Sequence, residues 1–171
     1  TLAENIAEGN IVLIYYPTGD KVMSTQKYTY TGGPKDELVA IDASVSDDTM
    51  SSIPEGTALF KVYEKDGHLV FRSDAGFLYL DGTHVRLVEE LGEFTYFDLE
   101  TAETGWFIKS TNAQFSGKSQ YLEFYGGYFT CYGMGSNTDI YTFQFYKAGT
   151  FDPNTDPLPD EGETAGAPFA A

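Results

Sequence analysis

The sequence is poor in the residue types that carry most catalytic and metal-binding chemistry. Its 171 residues include one cysteine, two histidines and one tryptophan. A single cysteine cannot form an internal disulfide, although this count does not settle the cellular compartment. His68 and His84 lack the i, i+4 partner of a helical zinc pair, and no Gly-x-Ser-x-Gly elbow is present. We therefore predict no catalytic residue, no metal site and no cofactor, and we expect that the chain is not itself an enzyme.

Positive charge is also scarce, since 10 Lys and Arg residues stand against 26 Asp and Glu, a formal net charge of −16. The electric field of this negative charge repels phosphate groups and anionic lipid, so nucleic acid and acidic membranes are poor partners. The charge favours solubility in a secreted setting, with cation binding as the alternative. Residues 152–156 (DPNTD) lack the glycine and the distal glutamate of an EF-hand. Calcium in the acidic loops therefore stays an open alternative that no motif supports.

Long apolar runs are missing. No run reaches the roughly 18 residues that a membrane-spanning helix needs, so we expect no membrane insertion. The sequence begins at Thr1 without an initiator methionine or a signal sequence, which we interpret as a segment of a longer polypeptide. Residues 150–171 are rich in proline and acid and predict an extended linker with few contacts to the body. We divide the chain into a linker or short helical arm (1–9), a domain (10–149) and this linker, with adjacent domains as partners.

A short phrase occurs three times in the domain: an apolar strand, a turn that contains glycine, and a second strand. The copies begin at Ile11, Leu69 and Trp106, and each is followed by two more strand-like runs. Period-2 alternation predicts twelve strands, at residues 11–16, 21–25, 38–43, 58–63, 69–72, 77–80, 85–88, 94–99, 106–110, 121–125, 128–132 and 141–146. Three units of four strands predict an all-β, β-trefoil-like barrel capped by three hairpins. Another closed β-barrel or a β-sandwich is the alternative.

The same alternation predicts the side chains that fill the barrel. They are large apolar residues from all three units: Leu13, Phe60, Leu78, Phe97, Phe107, Leu122 and Phe143. Cys131 lies in an alternating run and is expected to be a buried structural thiol. The two histidines are expected on surface turns, and an insertion at 45–55 is either a functional loop or a surface excursion.

Aromatic residues are abundant, with 13 Tyr and 13 Phe. Sugar-binding sites stack a flat ring on a pyranose while nearby polar groups bind its hydroxyls. Tyrosines next to polar residues are therefore candidate ligand-binding residues: Tyr15 and Tyr16 with Asp20, Tyr28 with Tyr30, and Tyr125 and Tyr128 with Asn112 beside the Gly126-Gly127 turn. The alternative is that these tyrosines pack in the barrel or cover its exterior. The Gln-x-Trp signature of ricin-type lectins is absent, and the nearest string is Gln144-Phe-Tyr.

Two stretches carry a resemblance to a known group of modules. They are residues 121–130 (YLEFYGGYFT), with the later string 143–146 (FQFY), and the opening 9–24 (GNIVLIYYPTGDKVMS). These phrases resemble accessory modules of large secreted or wall-anchored enzymes of Gram-positive, mostly Firmicute, bacteria, of the metallophosphatase/5′-nucleotidase type. The resemblance covers most of residues 9–149.

The resemblance implies a non-catalytic module of an extracellular enzyme whose catalytic domain lies outside this chain. Its expected ligand is a glycan or other cell-surface material, and its expected location is extracellular or attached to the cell wall. The alternative is a structural spacer or protein–protein interaction domain that positions neighbouring domains. We expect a monomer in either case.

Overall fold

The computed structural model describes residues 1–33 and 35–163. Within those ranges the chain forms twelve strands and two short 3-10 turns. The strands are β1 (Asn10–Tyr16), β2 (Lys21–Tyr30), β3 (Lys35–Asp42), β4 (Phe60–Lys65), β5 (His68–Ser73), β6 (Gly76–Leu80), β7 (Val85–Val88), β8 (Phe97–Thr101), β9 (Trp106–Phe115), β10 (Lys118–Tyr125), β11 (Tyr128–Gly133) and β12 (Gln144–Thr150). The 3-10 turns are η1 (Glu93–Thr95) and η2 (Thr138–Tyr141). No described helix is long and apolar enough to cross a membrane.

Six of these strands form a closed barrel. Antiparallel pairing runs from β1 to β4, β5, β8 and β9, and β12 returns to pair with β1. The ring closes between β9 and β12, where Trp106 and Phe143 exchange two backbone hydrogen bonds of 2.8 and 2.9 Å. The other six strands pair as three cap hairpins, β2–β3, β6–β7 and β10–β11. The chain therefore folds as a β-trefoil, which confirms the predicted fold class.

All three predicted fourth strands begin later than the alternation indicated, by two residues for β4 and by three for β8 and β12. Phe94 lies in η1 and Tyr141 lies in η2, so β8 starts at Phe97 and β12 at Gln144. Each turn is closed by a short-range bond, from the amide of Thr95 to the carbonyl of Gly92 at 3.0 Å and from Thr142 to Asp139 at 3.2 Å. Alternating aromatics are compatible with these tight turns, and the sequence pattern therefore placed the strand boundaries too early.

The barrel interior holds aromatic side chains from all three units. Phe71 and Phe145 stack with ring centroids 5.6 Å apart and an interplanar angle of 6°. The predicted core residues Phe60, Leu78, Phe97, Leu122 and Phe143 are all buried in this central cluster. Leu13 is also buried, in a separate cluster on the outside of the barrel.

Phe107 is not a core residue, contrary to our prediction. It is half-buried, and its neighbour Ile108 is fully buried in the central cluster. In the β8–β9 register Ile108 lies opposite Leu99 and Ser110 opposite Phe97. Because side chains alternate between faces, an inward Ile108 sends Phe107 to the other face.

The N-terminal residues pair with the barrel. The amide of Ala3 donates to the carbonyl of Phe145, and the amide of Lys147 donates to that of Thr1, each at 2.8 Å. The described residues 1–9 form no helix, so the helical alternative for this arm is wrong. Leu2 packs on a second cluster together with Met50 from the predicted insertion. From the insertion at 45–55, Val45 and Met50 pack on this cluster, whereas most of the other residues of the insertion are exposed.

The residues that follow β12 are held by charged groups on the barrel. Asp156 accepts hydrogen bonds from the Lys61 ammonium and from Arg72 Nη1, the latter at 3.1 Å. The hydroxyl of Tyr63 donates to the Asp156 carbonyl at 2.7 Å. Both basic side chains lie on the barrel with under a tenth of their surface exposed. The expectation of few contacts is therefore wrong for residues 151–163, and the rest of the predicted linker, 164–171, lies outside the described residues.

Replacing Asp156 by Asn is expected to destabilise the fold by about 2–3 kcal/mol at pH 7. The change leaves two buried cations without this carboxylate, and the figure is set below that for a fully buried pair because 35% of the Asp156 side chain is exposed. Urea unfolding measures the difference, with the exposed Asp160→Asn as the control. An effect no larger than that of the control would contradict the assignment.

The same contact predicts a pH dependence. Although burial opposes it, hydrogen bonds and charge from Lys61 and Arg72 hold the pKa of Asp156 below its ordinary value. A lowered pKa in the folded state gives stability that is present above the ordinary pKa of about 4 and is lost as pH falls through the lower folded value. The difference in unfolding free energy between wild type and Asp156→Asn should therefore shrink steadily below pH 4.

Cys131 is buried on β11, opposite Leu122, as predicted. Burial raises the pKa of its thiol to about 12. We expect the native protein to resist thiol reagents and Cys131→Ser to lower the unfolding free energy by about 1–3 kcal/mol, because a hydroxyl is buried in an apolar site. Labelling kinetics and urea unfolding measure the two effects. Rapid labelling of the native protein would contradict the burial.

Candidate functional site

One surface depression brings together tyrosines from two cap hairpins. It encloses about 470 Å³ and is lined by Tyr28, Tyr30, Lys35, Glu37, Tyr125, Gly126 and Tyr128. We call it the tyrosine groove. The sequence singled out the pair Tyr28 and Tyr30 and the pair Tyr125 and Tyr128 separately, and the fold places both pairs in one site.

Pairing between the two hairpins builds the groove. β11 pairs with β3, with Tyr128 opposite Val39 and Phe129 opposite Leu38. On the other side of β3, Glu37 lies opposite Tyr28 and Lys35 opposite Tyr30. Because residues two apart share a face, these side chains line one side of a four-stranded surface.

A two-residue turn presents the outer tyrosines. Tyr125 and Tyr128 are paired at the end of the β10–β11 hairpin, on either side of Gly126 and Gly127. Both glycines have positive φ, +63° and +91°, which is the conformation of a type I′ turn and favours glycine at each position. A Cβ at either glycine would meet no atom within 4 Å. The turn therefore leaves open space beside the flanking rings.

The four rings form an inner and an outer pair. The inner rings, Tyr28 and Tyr128, are half-buried, with centroids 4.2 Å apart and planes tilted by 42°. The outer rings are open to solvent, with Tyr125 67% and Tyr30 52% exposed. Partial desolvation, with Tyr28 and Glu37 nearby, raises the pKa of Tyr128. Its phenol is therefore a hydrogen-bond donor at neutral pH.

Glu37 and Lys35 supply the charged groups of the groove. Glu37 is only 8% exposed, and its carboxylate receives no hydrogen bond from any residue that the structure describes. Lys35 Nζ donates to the carbonyl oxygen of Cys131 at 3.3 Å. An ionised carboxylate is an acceptor only, and its burial is unfavourable without donors. The groove therefore combines ring faces with a carboxylate that is available to donors from a ligand.

In the first predicted cluster the two tyrosines, Tyr15 and Tyr16, are not open to a ligand, whereas Asp20 is exposed. Tyr15 is 3% and Tyr16 5% exposed. Tyr15 donates to the Asp20 carboxylate and meets Tyr146 edge-on at 5.4 Å, whereas Tyr16 stacks on Phe124 at 4.4 Å. β1 is covered on both faces, by the barrel core and by the outer cluster that contains Leu13 and Met50. The alternative interpretation, in which tyrosines pack in the barrel, therefore describes this pair.

Asn112 lies apart from the tyrosine groove. It lines a more polar cleft of about 370 Å³ with His68, Tyr96, Asp98 and other residues. Its side-chain amide donates to the carbonyl of Glu93 at 2.8 Å, and His68 pairs with Asp98 at 2.6 Å. Its position on β9 separates it from the β10–β11 turn, so it is not a groove residue.

His84 connects two units, and it is not a free surface histidine as the sequence indicated. Its Nδ1 accepts a hydrogen bond from the backbone amide of Asp36 at 2.9 Å. Asp36 in turn accepts from Arg86 Nε at 2.6 Å. His84 therefore helps to hold β3 against the β6–β7 hairpin. Within residues 1–33 and 35–163, no group of three or more His, Cys, Asp and Glu is placed to hold a metal ion.

Comparison with known proteins gives structural matches only. No protein-family model matches this sequence, and neither does any curated protein. The fold is similar to that of PSL1a in a complex with E64, at a TM-score of 0.58 and 12% identity over 84% of this chain. It is similar to Cry35Ab1, at a TM-score of 0.62 and 10% identity over 91% of this chain. It is also similar to ThreeFoil, a designed 3-fold symmetric protein, at a TM-score of 0.53 and 12% identity over 79% of this chain.

The three matched proteins differ in the share of their own length that this chain spans. This chain spans 50% of the PSL1a chain and 39% of the Cry35Ab1 chain, but 96% of ThreeFoil. Identities near a tenth show a shared fold alone. The similarity to a threefold-symmetric design agrees with the three four-stranded units found here.

Alanine substitutions distinguish groove tyrosines from core tyrosines. Tyr125→Ala should change the unfolding free energy by less than about 0.5 kcal/mol, because the ring is largely exposed. Tyr16→Ala should lower it by about 3–5 kcal/mol, because it removes a buried ring and leaves a cavity. Urea unfolding of both variants measures the contrast. Equal losses would contradict the placement of Tyr125 on the surface.

Proposed function

We propose that the tyrosine groove binds carbohydrate and that the domain is a non-catalytic accessory module of an extracellular bacterial enzyme. One observation carries the proposal: four tyrosines from two hairpins surround a single groove that also holds a carboxylate and an ammonium group. The largely exposed Tyr125 and Tyr30 rings supply flat faces for stacking on a pyranose. Glu37, Lys35 and the phenols supply acceptors and donors for sugar hydroxyls.

The wider role rests on the sequence. The resemblance at residues 9–24 and 121–130 supports an accessory module of a secreted or wall-anchored Gram-positive enzyme, with adjacent domains of the same polypeptide as partners. The net charge of −16 repels anionic partners such as nucleic acid and anionic membrane, and it therefore favours neutral or cationic ligands. In this proposal the module is a monomer, lies outside the cell or on its wall, and performs no chemistry of its own.

A second function is favoured by one observation. Tyr132 is 56% exposed on the same hairpin as Tyr128 and does not line the groove, so exposed tyrosines are not confined to the groove. Exposed tyrosines are typical of protein interfaces. A spacer or protein-interaction domain would bury these rings against an adjacent domain.

A glycan array followed by affinity measurements separates the two functions. We expect the domain to bind a defined set of glycans. Tyr125→Ala and Tyr28→Ala should each lower the affinity for the tightest-binding glycan by about tenfold, because one stacking ring is lost. Tyr132→Ala is the matched control, since it removes an exposed tyrosine that does not line the groove. An array without ligands would favour the spacer, whereas glycan binding that is unchanged in the groove variants would contradict the assignment of the tyrosine groove as the site.

A further inference from the structure

We infer that the tyrosine groove selects carbohydrate carrying a protonated amine, such as a hexosamine without its N-acetyl group. This inference rests on the proposed function, because it names the class of sugar that the same groove takes. It follows from the chemistry of Glu37, from the rings beside it and from the charge of the chain.

Among the described residues that line the groove, Glu37 is the one with a carboxylate. The residue as a whole is 8% exposed, no group among residues 1–33 and 35–163 donates to its carboxylate, and the carboxylate oxygens are open to the groove. A ligand that enters the groove can therefore donate to it. A hydroxyl provides a neutral hydrogen bond, whereas an ammonium provides a charge-assisted bond that is about twice as strong. The carboxylate therefore favours the amine-bearing sugar.

The inner rings add to this preference. Tyr28 lies opposite Glu37 in the β2–β3 register, and the Tyr128 ring lies 4.2 Å from that of Tyr28. A cation within about 6 Å of a tyrosine ring face is attracted by the ring quadrupole. An ammonium at Glu37 therefore has an aromatic surface beside it as well as the carboxylate. An N-acetyl group removes the charge and both of these attractions.

Lys35 limits how strongly the groove can attract an amine. It lies two residues from Glu37 on β3, on the same face, and its ammonium is held at the Cys131 carbonyl. Its positive charge opposes a cationic ligand, so it weakens amine binding without abolishing it. The net charge of −16 acts in the opposite direction over longer distances and disfavours uronic acids. Substitutions at Lys35 and Glu37 are therefore expected to change amine binding in opposite directions.

The test compares three trisaccharides of equal length by calorimetry at about 0.15 M salt, where long-range attraction is screened. They are a glucosamine trimer, an N-acetylglucosamine trimer and a neutral glucose trimer. We expect the wild type to prefer the glucosamine trimer by about tenfold, Glu37→Gln to abolish that preference, and Lys35→Met to increase it. Glu90→Gln, which removes an equal charge at an exposed position outside the groove, should leave it unchanged within about twofold.

Each result has a defined meaning once thermal unfolding shows that the variants are folded. Loss of the preference in Glu37→Gln alone, with neutral sugar binding retained, supports the inference. Equal affinity of the wild type for all three trimers, or a preference that survives Glu37→Gln, overturns it and leaves carbohydrate binding intact. Absence of binding to every sugar, on the array as well as here, overturns the proposed function and this inference together.

Discussion

Closure of the six-stranded barrel is the constraint on which the rest of the structure depends. The ring is completed by one backbone pair, Trp106 with Phe143, between strands that are separated by three further elements. Closure removes the exposed edges of the sheet and commits every barrel strand to an inward and an outward face. The inward positions become the aromatic core, in which Phe71 and Phe145 stack. The tyrosine groove lies outside this core, on two of the cap hairpins.

The candidate site depends on a contact between distant parts of the chain. Tyr28 and Tyr128 are 100 positions apart in sequence, and they meet because β3 and β11 pair at Leu38 and Phe129. Both of these anchoring residues are buried in the central cluster. Core packing therefore sets the distance between the inner rings, and the ring positions are fixed before a ligand arrives. A preformed groove of this kind loses little conformational freedom on binding.

The sequence predicted the fold well because the fold repeats a local pattern. Leu122 and Cys131 were placed in the core from alternation alone, and both are buried. Alternation cannot show whether the outward face of a strand is covered by another segment. Alternation therefore left open whether Tyr15 binds a ligand or packs, and it packs because Met50 and the N-terminal segment lie on that side of β1.

The surroundings of individual charged residues were also not predictable from the sequence. From composition we predicted that the acidic residues after 150 are solvated, whereas Asp156 contacts cations that are buried on the barrel. Glu37 was not singled out at all, because its importance depends on the hairpin register that puts it beside Tyr28. Which strand pairs with which, in what register, and which side chains become buried are all decided by the folded chain. A single sequence shows that a carboxylate is present, but not whether a cation or an aromatic ring will lie beside it.

The shielded carboxylates of the domain differ in what compensates their charge, and this difference supports the assignment of the groove. Asp36 and Asp156 accept from cationic side chains, Arg86 among them, and hydrogen bonds and charge lower the pKa of each. Glu123 is buried with weaker compensation, and burial raises its pKa. Glu37 is shielded as well, yet it faces a groove and has no donor within the described residues. A carboxylate at the edge of an aromatic surface that accepts from no described residue can bind a ligand donor, whereas Asp36 and Asp156 already accept from cationic side chains.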